Sequence, residues 1–327
     1  MKKLIYKSLF LAIVGIGVVG CKKETITQDS REITPEFEAS KNLVSFKSIE
    51  SYENFINNYE EDQKEIALEK LKKNNFQNYF TKKENLVLAK NDDGPDSDDY
   101  EMDDRFGQLL NQDGVIRIGD YLFKVNLPEE EVRAVSYTNS DSYSEALALL
   151  NSSSKEVLLF STDDDVLDII TTGMQEKCGG SSSFNEWSPS IYDGFIGGNY
   201  VRFQSQYFKS GIYFSVRIRG RHYHGGSGIY TSNPTLTFEV SPFNPNWKAL
   251  RVRRRPCGSG HATYHHGGIR TFQKSGVWSG AGSNRYVVFK AYEGVRALNG
   301  YRVWIRGYIN GNLGHSNYIG REVNSNF

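Results

Sequence analysis

From Ser48 onward, apolar residues recur every three or four positions: Ile49, Tyr52, Phe55, Ile56 and Tyr59, continued by Ile66 and Leu71. That period predicts an amphipathic helix. Ser48 is a suitable N-cap, and the Lys- and Asn-rich "EKLKKNN" suits a helix C-terminus. Further on, the runs 115–118 and 121–125 read as strands separated only by Gly119-Asp120. Two residues of this type predict a II′ hairpin. A short helix over 144–150 and a short strand over 156–160 follow, and "DDDVLDIITT" fits either state.

Past residue 178 glycines and aromatics rise and helix signals vanish. In "GIYFSVRIRGR", Ile212, Phe214, Val216 and Ile218 alternate with Tyr213, Ser215, Arg217 and Arg219, which predicts a strand with one buried and one wet face. "YVRFQSQY", "TLTFEV", "KALRVRRR", "NRYVVFKAY" and "GYRVWIRGYI" repeat the style. Six to eight such strands with glycine-rich turns predict an antiparallel sandwich or barrel. The expected fold class is therefore an α+β N-terminal module, 42–177, followed by an all-β antiparallel sandwich or barrel-like domain, 178–327.

Charge sharpens this division. The formal net charge is zero, yet 178–327 carries 18 Lys/Arg against 5 Asp/Glu, and 22–177 carries 18 against 34. A basic half can attract an anionic partner, or it can dock on the acidic half of its own chain.

The N-terminus combines Lys2, Lys3 and Lys7 with an apolar stretch of secretory-signal length, ending in Val18-Val19-Gly20-Cys21. This end resembles a bacterial lipobox. The resemblance implies a signal peptide at 1–20, cleavage before Cys21 and acylation of that cysteine. The partner it implies is a membrane, held through several acyl chains at roughly 0.8 kcal/mol per buried CH₂. Residues 21–41 then form a polar tether that reaches about 65–70 Å when extended. The phrase "LLNQDGVIRIGDYLFKV", preceded by "FKSIESYENF", resembles the N-terminal module of Bacteroidota lipoproteins without an assigned activity, over residues 42–135. It supports an outer-membrane lipoprotein, and the start "CKKE" resembles the Lys-plus-acid signals that send such lipoproteins to the outer leaflet, which favours the cell surface over the periplasmic face. Cys178 and Cys257 remain as an even pair in an oxidising compartment, where a disulfide is expected.

Few residues suggest chemistry. The acidic run 90–104 reads as a solvated loop, with Ca²⁺ at Asp92, Asp96, Asp98 and Asp99 as the alternative. All six histidines follow residue 220. "HYHGG" at 222–226 and "YHHGG" at 264–268 echo one another, so His222, His224, His261, His265 and His266 are candidate Zn²⁺ ligands, against packed or surface histidines. Ala262 stands where H-E-x-x-H needs its glutamate, so "GSGHATYHHGG" reads as a loop and not a metalloprotease helix. Ser259 lacks the nucleophile-elbow pattern.

Arginines on strands are the most pervasive feature. Arg217 and Arg219, Arg251 and Arg253, and Arg302 and Arg306 around Trp304 predict a guanidinium surface with aromatic plates. Arginine forks match carboxylate, sulfate and phosphate. The sequence therefore points to a lipid-anchored envelope protein that binds an anionic polymer, glycan or protein without catalysis. Two alternatives stand beside it: a metal-dependent hydrolase on the histidines, and a structural component whose acidic and basic halves bind each other. No RRM, KH or OB signature favours nucleic acid. No cofactor is expected beyond the Zn²⁺ and Ca²⁺ alternatives, and no oligomeric state is implied.

Overall fold

The computed structural model of the chain describes residues 37–82, 102–138, 141–173, 192–196, 199–223, 236–240, 250–254, 262–265, 270–274, 285–309 and 312–318. Two short strands come first, β1 (Phe37–Ala39) and β2 (Val44–Phe46). Helix α1 (Ile49–Asn58) starts at the expected cap. Ser48 Oγ accepts from the Ser51 N–H at 3.0 Å, and Ser51 Oγ accepts from the Ser48 N–H at 3.1 Å. This reciprocal pair satisfies two orphan donors.

The periodicity predicted one helix through Leu71, but the chain makes two. It is extended at Tyr59, and α2 (Glu61–Lys73) begins afresh. Side chains fix the break. Gln63 Oε1 accepts from the Glu60 N–H at 2.9 Å, capping the new helix. Lys64 Nζ donates to the Ile56 carbonyl at 2.6 Å, satisfying an orphan acceptor of the old one. The restart changes the phase. Ile66 is 58% exposed, whereas Ala67, Leu68 and Leu71 are buried.

After the short helix α3 (Asp104–Leu109) come β3 (Val115–Ile118), β4 (Tyr121–Asn126) and β5 (Glu131–Ser136). The predicted β3–β4 hairpin is present: Ile118 pairs with Tyr121, and Gly119 sits at φ +60° as the first loop residue of a II′ turn must. Helix α4 (Tyr143–Leu150), β6 (Leu158–Ser161) and helix α5 (Val166–Thr172) follow. The ambiguous "DDDVLDIITT" is thus helical over α5, and Gly173 closes it in the left-handed conformation at φ +68°. The strands form one sheet in the order β1-β2-β3-β4-β5-β6, antiparallel except for β2–β3. Its two faces bury different sets. Ile116, Ile118, Phe123, Val132 and Ala134 join Tyr52, Phe55 and Ile56 of α1. Val115, Leu122 and Val135 join Ala146 and Leu150 of α4.

The remaining strands are β7 (Tyr192–Ile196), β8 (Asn199–Lys209), β9 (Phe214–Tyr223), β10 (Leu236–Val240), β11 (Leu250–Arg254), β12 (Ala262–His265), β13 (Arg270–Lys274), β14 (Arg285–Gly294), β15 (Leu298–Ile309) and β16 (Asn312–Tyr318). They make two antiparallel sheets. One has the order β14-β9-β8-β7; the other runs β12-β11-β15-β10-β13, with β16 also on β15. The fold is α+β, and among the described residues no sheet closes into a barrel. Nor, among them, is any helix long and apolar enough to cross a membrane. One expectation changes here. Part of "GSGHATYHHGG", read as a loop, is strand β12, because Ala262–His265 pairs with Arg253–Leu250.

The β8–β9 hairpin meets the N-terminal elements directly. Its tip turns through Ser210–Tyr213, with the Ser210 N–H bonded to the Tyr213 carbonyl at 3.0 Å. The Gly211 N–H donates to the Thr162 carbonyl at 2.9 Å, and the Val166 N–H donates to the Gly211 carbonyl at 3.0 Å. Phe208, Ile212, Tyr213 and Val295 lie C-terminal to the charge boundary at 177/178, and they belong to the same core as α1 and β3–β5. Phe106 of α3 stacks on Tyr213 with ring centroids 4.8 Å apart. The alternation in 212–218 therefore does not separate a wet face from a dry one. Tyr213, Ser215 and Arg217 are as buried as Ile212, Phe214 and Val216, because the hairpin tip is enclosed.

Gly211 is where this contact tolerates least. It sits at φ +74°, and a Cβ there would lie 2.8 Å from Val132 Cγ2 and 2.9 Å from Val166 Cγ2. Gly211→Ala is expected to destabilise the protein by about 2–4 kcal/mol, from overpacking and left-handed strain together. Urea unfolding followed by tyrosine and tryptophan fluorescence checks this; an unchanged midpoint would contradict the close docking of the tip.

Candidate functional site

A polar cluster built from both halves of the chain lies inside this core. Asp103 precedes α3 and caps it: its Oδ1 accepts from the Arg105 and Phe106 N–H groups at 3.0 and 3.1 Å. The same oxygen receives Lys290 Nζ at 2.6 Å and the Tyr213 hydroxyl at 3.0 Å. Its Oδ2 accepts from Ser215 Oγ at 2.8 Å and lies 4.0 Å from Arg217 Nε. Glu293 is the second carboxylate. Lys64 Nζ and Arg105 Nη1 reach its Oε2 at 2.7 and 2.5 Å, and the Tyr213 hydroxyl lies 2.6 Å from its Oε1. The one Tyr213 proton thus stands between two carboxylates, with Lys290 Nζ 3.0 Å from the phenolic oxygen.

The electrostatics follow from this crowding. Burial alone would push the Asp103 carboxyl up, but the Lys290 and Arg217 charges and the donated hydrogen bonds outweigh it and hold it well below the usual range. Burial also works against Glu293, and Lys290, Arg105 and Lys64 bring it from 4.5 down to about 2. Tyr213 moves the other way: burial, then Asp103 and Glu293, raise its hydroxyl far above 10.0. Two ionised carboxylates and a neutral phenol are therefore the stable states. Asp103 has no exposed surface. A carboxylate so enclosed and so fully bonded holds elements together and meets no substrate. The run 90–104 reads as a solvated loop; among its described residues Met102 and Asp103 are buried, and for Asp103 a helix N-terminus and two cations replace water.

The residues singled out in the sequence fall into three groups. Arg217 is corrected: its side chain is 1% exposed, bonded to Gln206 Oε1 and lying over the Phe208 ring, so it belongs to the interior and not to a wet arginine face. Arg219 follows it on β9, in register with Val288 and Gln204. Arg251, Arg253, Arg302, Trp304 and Arg306 lie in the other sheet. There Arg251 is directly opposite Arg302, Arg253 opposite Gly300, Trp304 opposite Tyr318, and Arg306 opposite both Glu239 and Ser316. The histidines divide likewise: His222 is on β9 opposite Val201 and Arg285, while His265 is on β12 opposite Leu250. His224, His261, His266, Cys21, Cys178, Cys257 and the calcium candidates Asp92, Asp96, Asp98 and Asp99 lie outside the described residues. Among the described residues no three His, Cys, Asp or Glu side chains group to hold a metal ion.

Sequence reasoning missed the Asp103–Glu293 cluster. The only local signal was Asp103 placed just before "DRFGQLL", a fair N-cap. Nothing in the sequence ties it to Lys290 or Glu293, which are nearly two hundred residues away.

No family model matches the chain, and no curated protein matches it. Among solved structures it is similar to the crystal structure of a DUF4848 family protein from Bacteroides thetaiotaomicron. The identity is 15%, the match covers 85% of this chain and 96% of that one, and the TM-score is 0.19.

Acid should open the cluster. Because the carboxylates titrate below their unfolded values, their contribution to stability is complete above about 4.5 and is lost as pH falls toward 2. In Glu293→Gln the fall in stability between pH 4.5 and pH 2 should be shallower than in the parent, as measured by urea unfolding across pH. Asp103→Asn should cost about 3–5 kcal/mol at pH 7, since it leaves Lys290 and Arg217 facing a neutral group.

Proposed function

We propose that the protein is a lipid-anchored, non-catalytic component of the cell envelope, held at Cys21 on the outer membrane and displayed at the surface. It binds an anionic polymer through Arg251, Arg253, Arg302, Trp304 and Arg306. The observation that carries this reading is the register that sets Arg251 beside Arg302. Alternate residues along a strand share a face, so Arg253 joins Arg251, and Trp304 and Arg306 join Arg302, on one face of one sheet. Neighbouring strands are about 4.8 Å apart and alternate residues about 6.7 Å apart, spacings that let several guanidiniums engage one polyanion.

The opposite face supports the same orientation. Leu250 and Val252 of β11, Val303 and Ile305 of β15, and Phe238 of β10 share it by register. Burying that face is favourable, whereas burying four guanidiniums is costly. We take the apolar face as the inner layer of a β-sandwich. The rival structural reading, acidic and basic halves bound to each other, draws support from ion pairs across the chain: Lys209 with Asp163, and Arg296 with Asp168 at 2.6 Å and Glu53 at 3.0 Å. The two readings are compatible, since these cations are not those of the β11–β15 face. Of the histidines of the hydrolase reading, His222 and His265 are described and lie in different sheets.

Two measurements test the proposal. Cys21→Ser should move the protein from the membrane fraction to the soluble fraction. Retention on an immobilised acidic polymer should fall steeply between 50 and 500 mM salt, as screened arginine contacts require, and Arg251→Glu with Arg302→Glu should abolish it. Retention indifferent to both salt and charge reversal would sink the arginine reading.

A further inference from the structure

The register adds residues to this face that alternation within single strands did not reveal. Tyr264 of β12 is directly opposite Arg251, Tyr318 of β16 is directly opposite Trp304, and Tyr308 of β15 follows Arg306 two positions on, opposite Thr237. Four aromatic residues are thus interleaved with four arginines across four strands. Glu239 of β10 stands opposite Arg306 and also opposite Thr271 of β13. A face meant for bare polyphosphate gains nothing from a carboxylate, because that polymer offers it no row of hydrogen-bond donors. A carboxylate accepts hydrogen bonds only, and a sugar hydroxyl is a donor.

We infer that this face recognises an acidic polysaccharide, a chain of pyranose rings carrying carboxylate or sulfate groups. This inference rests on the anionic-polymer reading and narrows it. The three requirements of such a ligand match the three residue classes at the register positions. Arginines pair bidentately with its carboxylates or sulfates. Tyrosine and tryptophan offer flat apolar surface with a polar handle, which suits the C–H faces of pyranose rings. Glu239 and Thr271, with Thr237 and Ser316 nearby in register, supply partners for hydroxyls. A polyanion lacking rings and hydroxyls uses only the first class. Single-stranded DNA uses the first two but has no free hydroxyls along its backbone for the third.

The experiment compares four probes on the full-length protein at one salt concentration, by calorimetry: polygalacturonate, neutral dextran, polyphosphate and single-stranded DNA. Polygalacturonate should bind most tightly per charge. Tyr264→Ala and Tyr318→Ala should each weaken it about tenfold, the scale of a lost ring-stacking contact, and should leave polyphosphate within about twofold. Tyr318→Phe, which keeps the ring, should retain most of the affinity, so a mere folding defect in the alanine variants is distinguishable. Polyphosphate binding as tightly as polygalacturonate, with the tyrosine variants silent, would overturn the polysaccharide inference and leave the anionic-polymer reading standing. Tighter binding of DNA would also overturn it, in favour of a nucleic-acid face. Binding of none of the charged probes would overturn both readings.

Discussion

A buried carboxylate must be repaid locally or it unfolds its surroundings. Asp103 has no exposed surface, and its compensation comes from four places in the chain: the first turn of α3, Tyr213 and Ser215 in the β8–β9 hairpin, Arg217 on β9 and Lys290 on β14. Desolvation of such a group costs several kcal/mol unless paired. Each of these elements is therefore held in place by the need to keep the others. Glu293 extends the same constraint to Lys64 of α2 and, through Lys64, to the end of α1.

This constraint explains how a chain divided so sharply in charge becomes one compact unit over 35–327. Among the described residues, the ion pairs across the divide mostly set an N-terminal acid against a C-terminal base: Asp103 with Lys290, Asp163 with Lys209, Asp168 and Glu53 with Arg296. Glu293 reverses the pattern with Lys64 and Arg105. The Arg296 pairs are part-exposed and contribute little, so the enclosed Asp103 and Glu293 carry more of the weight.

Arg217 and Arg251 show why residue type alone does not assign a role. Both sit on alternating strands among other arginines, and the sequence reads them alike. Arg217 lies close to the tip of a hairpin driven into a core, where Gln206 and Asp103 receive it. Arg251 lies on a strand paired with β12 and β15, opposite Tyr264 and Arg302. Gly211, with its bare Cα, lets the hairpin tip near Arg217 approach Val132 and Val166.

What the sequence determined by itself is local, because it depends on neighbours a few residues apart. Ser48 as a cap, Gly119-Asp120 as a hairpin turn, and the two-residue alternation of β10, β11 and β15 were all legible there. So was the polar–apolar alternation that gives the second sheet one arginine-rich face. Less was legible wherever a distant group intervened. Lys64 and Gln63 divide a helix whose hydrophobic period runs on unbroken. Pairing with Arg253–Leu250 draws Ala262–His265 out of a glycine-rich stretch into a strand. Enclosure of the hairpin tip buries both faces of 212–217. Only the tertiary structure decided that Asp103 would meet Lys290 and that Arg251 would meet Arg302. Those meetings are set by strand register and by the balance of desolvation against pairing, and neither quantity exists until the chain has closed on itself.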